Sequence, residues 1–195
     1  MAKTVEFFFD YGSPATYLAY TQLPKIAART GSELIYKPFL LGGVFKSTGN
    51  SAPMTVPAKG AWLLDDLARC SARFGETFQL NPFFPINTVQ LMRGAVWAQE
   101  QGILDSYNDV VFKAMWVEPK NLGDPAVVGE LLSSIDIAPA DFVAAVGDQA
   151  VKDKLRALTD EAVSRGAFGA PTMFVGDEMH WGQDRLDFVE EALSR

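Results

Sequence analysis

The sequence predicts an α/β protein in which a βαβ unit and a ββα unit flank a long helical block. Three observations predict it. TVEFFFD and SELIYKPFLL are typical of short strands, and a helical pattern separates them. The residues from about 57 to 165 carry almost no strand signal. PTMFVG and EMHW then flank Gly176-Asp177, a hairpin signature, and a helical pattern follows them.

The first unit begins with TVEFFFD, whose β-branched and aromatic residues favour a strand. The predicted helix SPATYLAYTQLPKIAARTG has Ser13 at its N-cap and Pro14 at the first helical position, where a missing N–H is harmless. We expect Pro24 to kink or interrupt this helix, and Gly31 follows its end. SELIYKPFLL completes a βαβ unit, which predicts parallel strands joined by a right-handed crossover.

The helical block contains amphipathic segments, because apolar residues recur there at spacings of three and four. These segments are AKGAWLLDDLARCSARFG, NTVQLMRGAVWAQEQG, LDSYNDVVFKAMW, DPAVVGELLSSI and QAVKDKLRALTDEAVSRG. After the hairpin, QDRLDFVEEALSR predicts a last helix. We therefore predict one domain with a mixed sheet, residues 1–56 and 166–195, and an all-helical insertion domain, residues 57–165.

Composition and charge narrow the classes of partner. The formal net charge is −7 and the pI is about 4.7, so the surface repels phosphate backbones and anionic lipids. We expect neither nucleic acid nor a membrane as a partner. Apolar runs fall well short of the roughly 20 residues that cross a bilayer. MAKTVEFFFD lacks the features of a secretory signal, so we expect a cytoplasmic protein.

The chain has one cysteine, Cys70, and one histidine, His180. A single cysteine excludes an intramolecular disulfide, a CxxC redox pair and a cysteine-based zinc site, and we predict no metal site. Cys70 lies in a helical pattern, and we interpret it as a packed small residue. His180 has no nucleophile-elbow motif to accompany it, so we interpret it as a structural residue with satisfied hydrogen bonds.

Five short motifs carry a resemblance to a known family. They are FDYGSPATYLA, STGNSAP, VPAKG, GAFGAPT and WGQDR, and they extend from the first strand to the last helix. Together they resemble the 2-hydroxychromene-2-carboxylate isomerases and their sister group, the kappa-class glutathione transferases. Both groups belong to the DsbA-like branch of the thioredoxin superfamily. The resemblance implies a thioredoxin-like βαβ–ββα core with a large helical insertion, and glutathione as the cofactor.

Ser13 is the candidate catalytic residue. It stands where a helix N-terminus presents free N–H groups and the positive end of its dipole, which favours an anion such as a thiolate. By position alone, a plain N-cap is the favoured interpretation of Ser13. The resemblance implies that the Ser13 hydroxyl, with Pro14 beside it, contacts the sulfur of glutathione. Thr16 stands where a CxxC motif has its second cysteine, so it cannot resolve a mixed disulfide.

The segments on either side of the hairpin supply further candidate contacts. Pro171 restricts its segment to an edge or a turn, and in the family the matching proline is cis. The resemblance implies that Ala170 offers its backbone to the cysteinyl unit of glutathione by strand addition. Asp184 suits a helix start by dipole arguments. The resemblance implies that Asp184 pairs with the glutathione ammonium, beside Gln183, which replaces a serine of the kappa transferases.

The remaining candidates come from the middle of the chain. Asn50 in STGNSAP could be a turn residue, and Lys59 in VPAKG could be a solvated lysine. The resemblance implies that Asn50 contacts glutathione or substrate, and that Lys59 lies near the site and neutralises a carboxylate. Arg93 is a candidate for binding an acidic substrate. Lys37 and Trp116 are candidates for lining the substrate pocket.

The resemblance implies a cis–trans isomerase of naphthalene-type aromatic degradation, acting on 2-hydroxychromene-2-carboxylate and trans-o-hydroxybenzylidenepyruvate. The thiolate would add to the conjugated carbon, the former double bond would rotate, and the sulfur would leave. A kappa-class transferase, which releases the conjugate, and a non-redox module that binds extended peptides remain as alternatives. We expect glutathione and a small aromatic carboxylate as ligands, and a homodimer, because family members are commonly dimers.

Overall fold

A single four-stranded sheet organises the computed structural model, which describes residues 3–195. Its strands are β1 (Thr4–Phe9), β2 (Glu33–Pro38), β3 (Thr172–Val175) and β4 (Glu178–Trp181). The spatial order is β2-β1-β3-β4. β1 and β2 are parallel, in a register from Thr4 opposite Glu33 to Phe9 opposite Pro38. β3 is antiparallel to both β1 and β4, which confirms the predicted mixed sheet and hairpin.

Helices account for most of the rest of the described chain. They are α1 (Pro14–Thr30), α2 (Leu41–Thr48), α3 (Pro57–Phe74), α4 (Val89–Glu100), α5 (Leu104–Trp116), α6 (Pro125–Ser133), α7 (Pro139–Gly147), α8 (Gln149–Ser164) and α9 (Leu186–Ser194). Short 3-10 turns at Pro53–Thr55 and Gln183–Arg185 precede α3 and α9. Within residues 3–195, every helix is too short or too polar to cross a membrane.

The two faces of the sheet bury different side chains, because residues alternate along a strand. Val5, Phe7 and Phe9 of β1 belong to the larger core, which also contains buried residues of α1, α4 and α5. Phe8 lies on the opposite face in a smaller cluster with Phe39, Val44, Ala162, Ala167 and Phe174. Helix α8 packs against α2 and β2 on this side. Helix α8 belongs to the predicted insertion domain, residues 57–165, yet it packs against elements of the predicted core domain. The division into two domains stays a prediction.

Most predicted elements agree with the structure, and the predicted α/β fold, with a βαβ unit and a ββα unit around a helical block, is confirmed. Two helices, α2 and α7, were not predicted. The expected interruption of the first helix at Pro24 is wrong, since α1 runs through this residue to Thr30, whereas a kink there stays a prediction. Pro24 lies on the exposed side of α1, where a carbonyl that has lost its helical partner can be hydrated.

Candidate functional site

A large cavity opens where the first helix begins. Its volume is about 840 Å³, within the range of small-molecule sites. Three parts of the fold surround it: the N-terminus of α1, the stretch from α2 to α3, and the two segments that precede β3 and follow β4. Of the residues predicted for the site, the cavity is lined by Ser13, Pro14, Asn50, Lys59, Ala170, Gln183 and Asp184.

Ser13 is the N-cap of α1, as predicted. Its Oγ accepts a hydrogen bond from the backbone N–H of Thr16 over 3.2 Å, and Pro14 follows at the first helical position. The same hydroxyl donates to the carbonyl oxygen of Ala170 over 3.2 Å. Ser13 is largely buried, yet it borders the cavity. The positive end of the α1 dipole therefore faces the space in which a ligand would bind.

The peptide bond between Ala170 and Pro171 is cis. Ladder pairing begins only at Thr172, so the sheet does not use the backbone of Ala170. The backbone N–H of Gly182 donates to the Pro171 carbonyl over 3.1 Å, which ties the start of β3 to the end of β4. The backbone of Ala170 thus lies outside the sheet ladder, at a bend beside Ser13.

Asn50 and Lys59 come from the stretch between α2 and the start of α3, and both line the cavity. The side-chain amide of Asn50 donates to the carbonyl oxygen of Phe168 over 2.8 Å, which links the loop after α2 to the segment before β3. Lys59 is exposed in the first turn of α3. Its ammonium group forms no salt bridge with residues 3–195, so it is available to an anionic ligand.

Gln183 and Asp184 form the 3-10 turn that precedes α9. Gln183 is buried, and its Nε2 lies 3.4 Å from Oδ2 of Asp66. The Asp184 carboxylate is exposed and forms a 2.6 Å salt bridge with Arg185. Gly182 has φ 99°, and a Cβ there would lie 2.6 Å from Oδ1 of Asp184. The positive φ favours glycine at this position, and a Cβ there would make the Asp184 carboxylate shift.

Three predicted substrate-binding residues lie away from the cavity, and we correct those assignments. Lys37 forms salt bridges with Glu6 and Glu161 on the α8 face of the sheet, at 3.2 Å and 3.1 Å. Arg93 donates to the carbonyl oxygen of Val146 over 3.4 Å. Trp116 is 0 % exposed, and its indole N–H donates to the Tyr11 carbonyl. None of the three side chains lines the cavity, and each one contacts another protein group instead.

Three aromatic side chains at the cavity were not predicted. Trp62 of α3 is 59 % exposed, which is unusual for a tryptophan. Phe168 and Trp181 are also exposed, and their ring centroids lie 5.1 Å apart. A signal was present, since Phe168 and Trp181 belong to the motifs GAFGAPT and WGQDR. An exposed aromatic set beside polar groups is typical of a site for a flat apolar ligand.

The single cysteine and the single histidine differ from their predicted roles in detail. Cys70 is half-buried beside the site, with its Sγ 3.7 Å from Nε2 of Gln183, and burial raises the pKa of its thiol. His180 is buried away from the cavity, as a structural residue. Its Nε2, however, has no hydrogen-bond partner within residues 3–195, so the expectation of satisfied hydrogen bonds is wrong. Burial lowers the pKa of His180.

Fold and site together define a thioredoxin-like protein in which serine stands at the start of the first helix. The chain belongs to the DSBA-like thioredoxin domain family, whose model matches residues 4–194. Within it, the chain belongs with the 2-hydroxychromene-2-carboxylate isomerases, as the five motifs indicated. It is 31% identical to the Sphingobium xenophagum enzyme over 198 aligned positions, covering 99% of each chain.

Other relatives agree with this assignment. The 2-hydroxychromene-2-carboxylate isomerase of Pseudomonas putida is 33% identical, over 98% of this chain and 94% of that enzyme. Glutathione S-transferase kappa 2 of Caenorhabditis elegans is 28% identical, over 98% and 92%. A solved structure of 2-hydroxychromene-2-carboxylate isomerase is similar with a TM-score of 0.86 and 30% identity, covering 98% of this chain and 95% of that one. The relatives therefore support an isomerase.

Proposed function

We propose that the chain is a glutathione-dependent cis–trans isomerase that interconverts 2-hydroxychromene-2-carboxylate and trans-o-hydroxybenzylidenepyruvate in naphthalene-type aromatic degradation. One observation carries the proposal: the Ser13 hydroxyl, at the N-terminus of α1, borders a large cavity beside the backbone of Ala170. The names of the relatives suggest the reaction. The geometry suggests how this chain's residues would serve it.

The residues around the cavity fit glutathione. Glutathione carries an ammonium group, two carboxylates and a peptide backbone. The cavity offers the exposed carboxylate of Asp184, which also pairs with Arg185, the unpaired ammonium group of Lys59, and the backbone of Ala170, which the sheet ladder leaves free. Charge-assisted bonds to the first two and strand addition to the third would fix the orientation of the tripeptide. These groups would direct the cysteinyl unit toward Ser13.

Bound glutathione would supply a thiol nucleophile that adds reversibly to the conjugated carbon of the substrate, so that the former double bond can rotate. The chain's own residues would set the charge and the position of that sulfur. The Ser13 hydroxyl, which donates to the Ala170 carbonyl in this structure, would turn and donate to the glutathione sulfur instead. The free N–H groups and the dipole of α1 would favour its anionic form. Neither role requires Ser13 to ionise.

The remaining surface of the cavity suits an aromatic acceptor that carries a carboxylate. Leu63, Phe84, Phe168 and Trp62 supply apolar walls. Of the cavity-lining residues that the structure describes, Lys59 carries the basic side chain, so it would bind the substrate carboxylate or one from glutathione. Such a group would also stabilise negative charge that develops on the adjacent oxygen.

A kappa-class transferase is the second candidate, because the chain is also similar to kappa transferases over nearly its whole length. Both activities would use the same sulfur, and they differ in whether it leaves the product. The peptide-binding alternative predicts that the protein binds extended peptides and has no measurable affinity for glutathione. We also propose that the protein is a cytoplasmic homodimer, in keeping with its family.

Product analysis tests the proposal. The purified protein is mixed with 2-hydroxychromene-2-carboxylate and a small amount of glutathione, and both substrate isomers and free thiol are followed. We expect many turnovers for each glutathione, with the thiol recovered at the end. S-methylglutathione, whose sulfur is blocked, is the matched control and should support no turnover. Consumption of thiol in step with substrate would instead identify a transferase, and indifference to glutathione would overturn the proposal.

A further inference from the structure

A buried carboxylate lies beneath the cavity at Asp10, the residue that follows β1. Its side chain is 1 % exposed. Oδ1 accepts hydrogen bonds from the backbone N–H of Gly12 over 2.9 Å and from the hydroxyl of Thr88 over 2.7 Å. Oδ2 accepts one from the backbone N–H of Leu41 over 2.8 Å. The proposed reaction assigns no role to this group.

The three donors come from the beginnings of three different helices. Gly12 immediately precedes Ser13, the N-cap of α1. Leu41 is the first residue of α2, whose own N-cap residue provides no side-chain hydrogen bond. Thr88 is the N-cap residue of α4. Asp10 thus joins the N-termini of α1, α2 and α4, and its carboxylate is stabilised by the positive ends of their dipoles.

The surroundings of Asp10 suit a charged acceptor. Within residues 3–195 no lysine, arginine or histidine forms a salt bridge with it. Its hydrogen-bond partners all donate, and an ionised carboxylate is an acceptor at both oxygens. Burial raises the pKa of this carboxyl, while the three hydrogen bonds act in the opposite direction.

We propose that Asp10 is a positioning residue for Ser13: its carboxylate fixes the start of α1 against the starts of α2 and α4. Two of its three bonds hold residues that themselves line the cavity, Gly12 and Leu41. A shift of the loop before Ser13 would move the hydroxyl relative to a bound sulfur. This inference rests on the proposed function, and it adds a residue that does not touch the ligand.

Asparagine cannot replace this carboxylate without loss. It has nearly the same shape, but one of its two acceptor oxygens becomes an NH₂ donor. If that NH₂ faces Leu41, it opposes the backbone N–H of α2. If it faces Gly12, it opposes the backbone N–H before Ser13. In either orientation, one buried backbone donor loses its acceptor, and one of the two cavity-lining segments is released.

The main test is Asp10→Asn, measured as the turnover number and the glutathione dissociation constant per folded enzyme. We expect turnover to fall about 10- to 100-fold, because small misplacements of a reacting group have effects of that size. The glutathione dissociation constant should change much less, since Asp184 and Lys59 lie on other segments. A general loss of structure would change both. Unchanged turnover in folded Asp10→Asn would overturn the proposal.

Thr88 provides a second test if Asp10→Asn does not fold. Thr88→Val removes one donor and keeps the carboxylate, whereas Thr88→Ser restores the hydroxyl. We expect Thr88→Val to lower turnover and Thr88→Ser to recover most of it. Equal turnover in wild type, Thr88→Val and Thr88→Ser would contradict the proposed positioning.

A third measurement separates this inference from the proposed function. Amide hydrogen exchange at Gly12 and Leu41 needs neither glutathione nor substrate, and we expect it to be at least about 10-fold faster in Thr88→Val than in Thr88→Ser. If the wild type shows no glutathione-dependent turnover, the proposed function fails, and faster exchange still supports the positioning by Asp10. Equal exchange in both variants would overturn it.

Discussion

The side-chain hydroxyl of Ser13 donates a hydrogen bond to the backbone carbonyl oxygen of Ala170, two residues 157 positions apart in the sequence. Oγ of Ser13 also accepts a hydrogen bond from the backbone N–H of Thr16 and so caps α1. A hydroxyl has one proton to donate. A sulfur that accepts from Ser13 must therefore displace the Ala170 carbonyl, while the cap to Thr16 can persist.

Ser13→Ala should separate these two roles. Loss of the cap should lower the free energy of unfolding by about 1 kcal/mol. Loss of a donor aimed at a reacting anion should lower turnover about 100-fold or more. Steady-state kinetics together with a urea unfolding curve measures both effects.

A matched control is available at another helix. Asp124 is the N-cap of α6, and its carboxylate accepts from the backbone N–H of Ala126 over 2.9 Å. Asp124→Ala should lose similar stability and keep its turnover, because it lies away from the cavity. If Ser13→Ala is as active as Asp124→Ala, then Ser13 has no part in the mechanism.

Asp184→Asn should weaken glutathione binding more than it slows the bound reaction. A hydrogen bond to a charged group contributes about 1.5–3 kcal/mol, so we expect the dissociation constant to rise at least about 10-fold. Turnover at saturating glutathione should fall by a smaller factor, because the ammonium group of the tripeptide is remote from its sulfur. Calorimetry gives the first quantity and kinetics the second.

Asp187→Asn is the control for that experiment. Asp187 lies in the first turn of α9 and is exposed, and it forms a 3.4 Å salt bridge with Arg73 outside the cavity. The Asp187→Asn variant should therefore bind glutathione as tightly as the wild type does. A larger effect of Asp184→Asn on turnover than on affinity would contradict the assigned role.

The sequence was sufficient to predict most of the fold, because local patterns specify most of its elements. Strand β1 and helix α5 show their patterns within a few residues, and Gly176-Asp177 marks the hairpin. Helix α2 was missed because LGGVFKST contains two glycines, which disfavour a helix. The carboxylate of Asp10 supplies an acceptor for the first N–H of α2, and a contact 31 residues away is not visible in a local pattern.

The candidate site was predicted in part, and the errors at Lys37 and Trp116 have different causes. Ser13, Ala170 and Asp184 line the cavity as expected. Each belongs to a motif at a helix start or at the start of a strand, and the fold fixes the position of such motifs. Lys37 was misplaced because neighbouring strand residues point to opposite faces, and the sequence does not say which face borders the cavity. Trp116 was misplaced because an aromatic residue in an amphipathic helix suits a core as well as a pocket.

Trp62→Ala should weaken binding of the aromatic substrate and leave glutathione binding unchanged. An aromatic contact contributes about 0.5–1.5 kcal/mol, so we expect the KM for the aromatic substrate to rise about 2- to 12-fold. The fold should be unaffected, because Trp62 is mostly exposed in the wild type. Phe188→Ala, at an exposed aromatic on α9 outside the cavity, is the control. Equal KM values in the two variants would exclude Trp62 from the substrate site.

Glu6→Gln should lower stability without changing activity, because Glu6 lies on the α8 face of the sheet. Glu6 forms salt bridges with Arg165 at 2.7 Å and with Lys37 at 3.2 Å. Burial by itself would raise the pKa of Glu6, but the hydrogen bonds from Arg165 and Lys37 prevail and lower it. A lowered pKa means that the unfolded chain binds a proton more readily than the folded one, so protonation favours unfolding.

The stability that Glu6 contributes should therefore be fully present above its ordinary pKa of 4.5 and be lost as the pH falls through the lower folded value. Near neutral pH, we expect Glu6→Gln to lower the free energy of unfolding by about 1 kcal/mol, a size typical of partly exposed ion pairs. The difference from wild type should shrink in acid, because the wild-type carboxylate is then protonated and resembles the amide. Urea unfolding of both proteins across this pH range measures the difference, and a constant gap would show that the salt bridges are not its source.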